Sequence, residues 1–534
     1  MKTIYAYFNL LSILLLPASL LITTPVFSQK TFKNPIITGM NPDPTICRVG
    51  DDFYTVTSTF EYFPGLPIYH SKDLVHWNLI GHALSTPVNN PLMGCVAATG
   101  GQYAPTIRYN DGTFYVIGTN YGGKGSQGIS YVTAKDPAGP WSDPVWIGEW
   151  YVDPSLEFID GKMYYLSPDN AGSFLLGVID PETGKFVEPL RKVAAGLGGS
   201  APEGPHFYKV NDYYYIMSAE GGTGYEHREV IQRSKSPWGP YEPSPINPLL
   251  SNMNVPDHPF QAIGHADLVQ LKDGSWWAVC LGIRPKNGKY QHLGRETFLA
   301  PITWNEEGWP RVGSDGVVKE EFPLPSLPPH PWNDSATRDD FNDSALNLHW
   351  NFLRNPYSQD WSLTEKPGYL RLKGSKVNFT GNDSPAFIGR RQTAFDMDFS
   401  TQVSFIPSAE NEEAGLVIRA DDKNHYDLLI TKRDGKRVAM FRQYLQDKVA
   451  QVIYKDIPHK GDVVLGIVAG ESEYTFWFSK PKGKREIIGK AATKELSNEK
   501  VGGFTGVFIG MYASGNGKAN VNPTDFAWFE FNER

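Results

Sequence analysis

Only three cysteines occur in 534 residues, Cys47, Cys95 and Cys280, an odd and sparse set that excludes a disulfide framework and leaves stability to hydrophobic cores. No stretch keeps a helical period for long, which excludes a helix bundle and an alternating α/β fold. Neither sign of charge dominates. The net charge is −8 with acids and bases well mixed, so nothing here attracts nucleic acid or an anionic membrane surface. No glycine-rich phosphate loop, zinc-ligand spacing or nucleophile elbow stands out. Long apolar runs are missing except at the start, where Lys2 precedes apolar residues over 10–16 and 20–22, followed by Val26-Phe27-Ser28. That pattern predicts a secretory signal peptide over residues 1–28, with a retained anchor as the alternative, for which the run is short. No cysteine follows the run to carry a lipid. Export to the periplasm or the medium, without membrane attachment after cleavage, is the expectation.

What the chain has in quantity is aromatic residues, at 13%, a level that favours β-architecture. Its length favours two domains. One short phrase is written five times: Gly50-Asp51-Asp52-Phe53-Tyr54, Asp111-Gly112-Thr113-Phe114-Tyr115, Asp160-Gly161-Lys162-Met163-Tyr164, Asn211-Asp212-Tyr213-Tyr214-Tyr215 and Asp273-Gly274-Ser275-Trp276-Trp277. Each is a tight polar turn running into a strand. A recurrence of roughly 50 to 60 residues is the period of a propeller blade. Residues 29–322 are therefore expected to form a five-bladed β-propeller. The Pro-rich stretch 323–331 reads as a semi-rigid linker. Residues 332–534 lose the repeat but keep short alternating runs such as Gly415-Leu416-Val417-Ile418-Arg419, which predicts a β-sandwich of jelly-roll, lectin-like form. The fold class is all-β. Asn-x-Ser/Thr sequons begin at Asn333, Asn342, Asn378 and Asn382.

The residues just upstream of the turns carry the chemistry. Asp43-Pro44 precedes the first copy, Asp153-Pro154 the third, Pro202-Glu203-Gly204 the fourth and Gly264-His265-Ala266-Asp267 the fifth. Equivalent repeats would place them alike on each innermost strand, pointing to the central channel, so that Asp43, Asp153 and Glu203 converge. A glycosidic bond is broken by two carboxyl groups on opposite sides of the anomeric carbon. A third acid nearby raises the proton donor's pKa. Flanking prolines stiffen the backbone that aims Asp43. Taken singly, each of the three also fits a turn or cap carboxylate; the repeated offset favours a site.

The run from Asn41-Pro42-Asp43-Pro44 through Asp52-Phe53-Tyr54 resembles the opening of glycoside hydrolase family 43. So do Phe60-Glu61-Tyr62-Phe63-Pro64-Gly65, Tyr103-Ala104-Pro105-Thr106, Val152-Asp153-Pro154-Ser155, Pro202-Glu203-Gly204-Pro205, Gly264-His265-Ala266-Asp267 and Leu293-Gly294-Arg295-Glu296-Thr297. The second domain, with Gly502-Gly503-Phe504-Thr505-Gly506, is similar to the sandwich appended to that family's β-xylosidases and α-L-arabinofuranosidases. The resemblance implies an exo-acting, inverting hydrolase that releases terminal pentoses from hemicellulose or its oligosaccharides. Asp43 would be general base, Glu203 general acid, and Asp153 the residue that tunes and orients the acid. Arg295 would contact the sugar, with an ion pair to Glu296 or another acid as the alternative. Phe60 and Tyr103 would line the pocket, against blade packing, and Phe504 would reach its mouth. No cofactor is implied as required. His265 would sit near the axis, where a structural calcium or sodium is bound through water in some members. Many relatives carry Trp at the position of Tyr103, and that departure tilts the expectation to arabinofuranosides over xylosides. A secreted carbohydrate-binding protein without catalysis is the rival from another class, and it has no use for three converging carboxylates.

Overall fold

The computed structural model describes residues 30–92, 97–122, 127–148, 151–333 and 336–534. The expected signal peptide, Cys95 and part of the first sequon lie outside them. Five antiparallel sheets follow one another along the chain, four of four strands and the second of five. Their innermost strands are Thr45–Val49, Thr106–Asn110, Ser155–Ile159, Glu203–Val210 and Gln261–Gln270. Each packs on the next, and the fifth packs on the first, which closes a five-bladed propeller. The repeated phrase does what its residues require. Asp111 and Gly112, like Asp160 and Gly161, both take positive φ between strands paired on either side, the geometry of a two-residue type I′ turn. The fifth copy differs. Gln270 pairs with Trp276 across a longer loop containing Asp273-Gly274.

The ends of the propeller are tied together. Thr31–Lys33 pairs with Glu321–Pro323, and Ile37 bridges to Thr297 in the last blade. The Pro-rich segment lies on the propeller surface: the His330 amide donates to Asp73 Oδ2 at 2.7 Å, and Leu324 and Leu327 pack on the core between the last and first blades.

Beyond it, two eight-stranded sheets face each other across a core that includes Trp350, Phe399, Leu416, Phe441, Leu465 and Phe529. One sheet does not end within the sandwich. Its strand Asn351–Leu353 pairs in turn with Tyr62–Phe63, which forms the edge and belongs to the first blade's sequence. Between them lies a sealed charge cluster. Glu61 accepts from Arg354 Nη2 at 2.9 Å and from Arg419 Nη1 at 2.8 Å, and both arginines also pair with Asp422. All four are buried, so each charge depends on the others for the solvation it has lost.

Candidate active site

The site lies at the starts of the innermost strands. Counting back from each hairpin, the residue six before the strand's last paired position is Asp43, Ala104, Asp153 or Gly204 in the first four blades, and in the fifth, whose loop is longer, His265 stands five before Gln270. Four of these take the left-handed backbone: Asp43 at φ 55°, Asp153 at 49°, Gly204 at 54° and His265 at 50°. The repeat therefore places two of the three carboxylates alike, but Glu203 stands one residue upstream of the equivalent position. The reason is local. Gly204 supplies the left-handed step and the register shift there, and a Cβ on it would come 2.1 Å from His265 Nε2. Only glycine lets the fourth blade approach that imidazole, so the acid has moved to its neighbour.

A cavity of about 220 Å³ is lined by Asp43, Phe60, Tyr103, Asp153, Glu203, His265, Arg295 and Phe504, together with Ala104, Val152 and Thr223. All eight residues singled out in the sequence thus face one space. Asp43 is buried; its Oδ1 accepts from Arg295 Nη1 at 2.8 Å and its Oδ2 from Ser58 Oγ at 2.5 Å. The ion pair open to Arg295 is with Asp43, because Glu296 is taken by Arg284 at 2.6 and 2.8 Å and by the Gly39 amide. Arg295 Nε donates to the Phe504 carbonyl at 3.2 Å, which fixes the guanidinium between the two domains. Its carbon lies 5.6 Å from the Phe60 ring centre and 5.1 Å from that of Phe504. Phe60 is 5.5 Å from Tyr103 and 5.1 Å from Phe504. These rings rest on a core containing residues of both domains, among them Met40, Tyr62, Leu353 and Phe508. Phe60 and Tyr103 consequently do both things the sequence left open, lining the pocket and packing the core.

His265 stands between two of the acids, with Nδ1 3.5 Å from Asp43 and Nε2 3.7 Å from Asp153. Burial lowers its affinity for a proton, but Asp153, Asp43 and Glu203 more than restore it, and the imidazole pKa rises to about 9. An imidazolium offers no lone pair to a cation or to a cation's water. Among the described residues no group of three or more His, Cys, Asp or Glu side chains is placed to hold a metal ion. Glu203 is also shifted upward, which for a carboxyl group favours the neutral form. Burial first, and the charge of Asp153 second, raise its pKa to about 7, against smaller opposing pulls from His265 and Arg295. One carboxylate held by arginine and serine, and another carboxyl kept neutral up to about neutral pH, can respectively take a proton from water and give one to a leaving oxygen.

Sequence reasoning missed Ser58, Thr223 and the Glu61 cluster. Ser58 and Thr223 sit in irregular loops, where polar residues carry no periodic signal. Glu61 is bonded to residues about three hundred positions away.

A family model described as Glycosyl hydrolases family 43 matches residues 32–310, and one described as Beta xylosidase C-terminal Concanavalin A-like domain matches 338–532. The chain is 74% identical over 523 residues to the non-reducing end alpha-L-arabinofuranosidase BoGH43B of Bacteroides ovatus, covering 98% of this chain and 99% of the relative. It is 38% identical over 520 residues to a xylosidase/arabinosidase of Butyrivibrio fibrisolvens, covering 94% and 99%. A solved structure described as Bacteroides ovatus Xyloglucan PUL GH43B superposes with a TM-score of 0.94 at 75% identity, over 95% of this chain and all of that one.

Proposed function

The chain belongs to glycosyl hydrolase family 43, and from that premise we propose that it is an exo-acting, inverting α-L-arabinofuranosidase acting on hemicellulose oligosaccharides. The observation that carries this reading is the convergence of Asp43, Asp153 and Glu203 with Arg295 on one small cavity. The arabinofuranoside preference is supported by the 74% identity to an enzyme of that name over nearly the whole of both chains. β-Xylosidase activity is the second reading, favoured by the Butyrivibrio fibrisolvens relative named for both sugars.

In this mechanism the terminal pentose occupies the buried end of the cavity, and Arg295 and the aromatic rings hold it. Asp43 takes a proton from water as the water oxygen attacks the anomeric carbon. The bond to the leaving oxygen breaks, and that oxygen receives the proton of Glu203. Attack and departure occur on opposite faces, so the configuration inverts and no covalent intermediate forms. Asp153 keeps Glu203 protonated by charge and holds His265 beside it. The solved relative is described with xyloglucan, so xyloglucan oligosaccharides bearing L-arabinofuranose are the first natural substrates to try. The apolar N-terminal run supports export to the periplasm or the medium.

The test is sugar release from 4-nitrophenyl α-L-arabinofuranoside and β-D-xyloside by the wild type beside Glu203→Ala. Arabinofuranoside turnover that exceeds xyloside turnover, and falls by about a hundredfold in the variant, is the expected result. Faster xyloside turnover selects the second reading. Binding of pentose oligosaccharides without cleavage of any would return the chain to the class of binding proteins.

A further inference from the structure

The seam between the domains holds a second cavity, of about 230 Å³, which shares no lining residue with the catalytic one. Thr38 and Trp77 face it from the propeller, and His349, Arg390 and Arg391 from the sandwich. A water takes up about 30 Å³ in the liquid, so the space admits a group of several heavy atoms. Its charge is of one sign. Two arginines line it, and no aspartate or glutamate does. Arg390 makes no hydrogen bond or ion pair among the described residues; its guanidinium lies 3.7 Å over the Phe531 ring, which occupies a face of the group and not its N–H edge. The carboxylate that it feels, Asp339, is already committed to Trp350 Nε1 at 2.8 Å and to the Phe341 amide at 2.9 Å. Arg391 Nε donates to the Met40 carbonyl at 2.6 Å and Nη1 to Asn351 Oδ1 at 3.0 Å, but Nη2 is buried without a partner. The buried Arg295, Arg354 and Arg419 each meet a carboxylate; this pair does not.

We propose that this cavity binds a small oxyanion, a phosphate or carboxylate group, held between propeller and sandwich by Arg390 and Arg391. Guanidinium groups present paired N–H donors that match the oxygens of either group. The His349 ring, which makes no hydrogen bond among the described residues, adds a donor from the sandwich, and the Thr38 hydroxyl adds one from the propeller. Burial, and then the charges of Arg390 and Arg391, lower the His349 pKa to about 3, so the imidazole is neutral and the arginines are the cations of the site. Burial also lowers Arg390 to about 10, the mark of a cation that lacks a countercharge. An anion supplies what the fold leaves out. Trp77, His349 and Arg390 are each half-buried, so the space is reached from solvent. Met40, gripped by Arg391, stands three residues before Asp43, which puts the site against the segment that carries the base.

The experiment titrates the full chain with inorganic phosphate, and separately with D-glucuronate, by calorimetry at constant ionic strength. Wild type is compared with Arg390→Gln, with His349→Glu, and with Lys518→Gln, which removes an exposed charge elsewhere. Wild type is expected to bind one equivalent with a Kd of about a millimolar or tighter, Arg390→Gln to bind roughly tenfold or more weakly, and Lys518→Gln to stay within about twofold of wild type. His349→Glu places a carboxylate beside the two guanidinium groups. It should abolish binding and raise the thermal midpoint in the absence of added anion. Tighter binding of phosphate identifies a free phosphate as the ligand, and tighter binding of glucuronate an acidic sugar. No saturable binding of either by wild type, or wild-type affinity in Arg390→Gln or His349→Glu, overturns the site. Neither readout involves turnover, so the outcome is independent of the activity proposed above.

Discussion

Glu203→Gln should inactivate the enzyme and stabilise it, with the stabilisation opening above about pH 4.5 and complete above about pH 7. The carboxyl pKa rises from 4.5 to about 7 in the folded protein. A raised carboxyl group contributes its stability below the unfolded value, near 4.5, and that contribution is lost as pH rises through about 7. At about 1.4 kcal/mol per pH unit, the ionised form costs about 3 kcal/mol at pH 8 or above. Glu203 keeps some solvent contact, which lowers the working figure to about 2 kcal/mol. The attraction of His265 and Arg295 for the anion is already contained in that net shift. His265 keeps its proton up to about pH 9, so its charge is constant across the window. Glutamine matches the neutral acid in shape and cannot ionise. Thermal midpoints of the two proteins, measured at pH 4.5, 6, 7 and 8, should nearly coincide at the acid end and separate by roughly 2–3 °C at pH 8, with the variant higher. The same variant should lose about a hundredfold or more in kcat on an oligosaccharide. A variant less stable than wild type by the same margin at every pH would refute the claim that burial holds this acid neutral.

Asp153→Asn removes the second cause of the Glu203 shift, so the alkaline limb of kcat/KM against pH should move to lower pH; an unmoved limb would show that burial alone sets it. Phe504→Ala leaves the carbonyl that accepts from Arg295 but removes the ring beside it, and should lower kcat/KM roughly tenfold, mainly through KM, in steady-state assays on the arabinofuranoside. Glu61→Gln leaves Arg354 and Arg419 buried with one carboxylate between them; chemical denaturation should report a loss of about 3–5 kcal/mol, and a change under about 1 kcal/mol would mean that water reaches the cluster.

The parts legible in the sequence are those whose cause is local. Asp111-Gly112 and Asp160-Gly161 announce turns because few other pairs accept two positive φ angles in succession. Asp43 and Asp153 could be paired by their offset from those turns because the blades repeat the same backbone step beneath them. Glu203 broke the offset by one residue. Its displacement is caused by the His265 ring pressing on Gly204, a contact between blades that no local pattern records. The edge strand Tyr62–Phe63 was invisible for a like reason. Two residues carry no alternation, and their partner strand Asn351–Leu353 lies far along the chain.

Phe504 was placed by family resemblance alone, and the structure supplies the physical cause that the residues by themselves did not. Gly506 packs where a Cβ would come 2.2 Å from the Leu293 carbonyl, and the Val507 amide donates to the His292 carbonyl at 2.9 Å. Gln291 to Gly294 lead directly into Arg295, so the sandwich loop grips the segment that carries the arginine of the site. The same loop supplies the carbonyl that accepts from Arg295 Nε. From the other side, Glu61 and the Tyr62–Phe63 strand bind the sandwich through the residues that follow Phe60. Both the arginine beside Asp43 and the innermost ring of the pocket are therefore set by contacts that cross the domain boundary. The sandwich is a wall of the cavity, and the propeller's carboxylates have their full surroundings only with it in place.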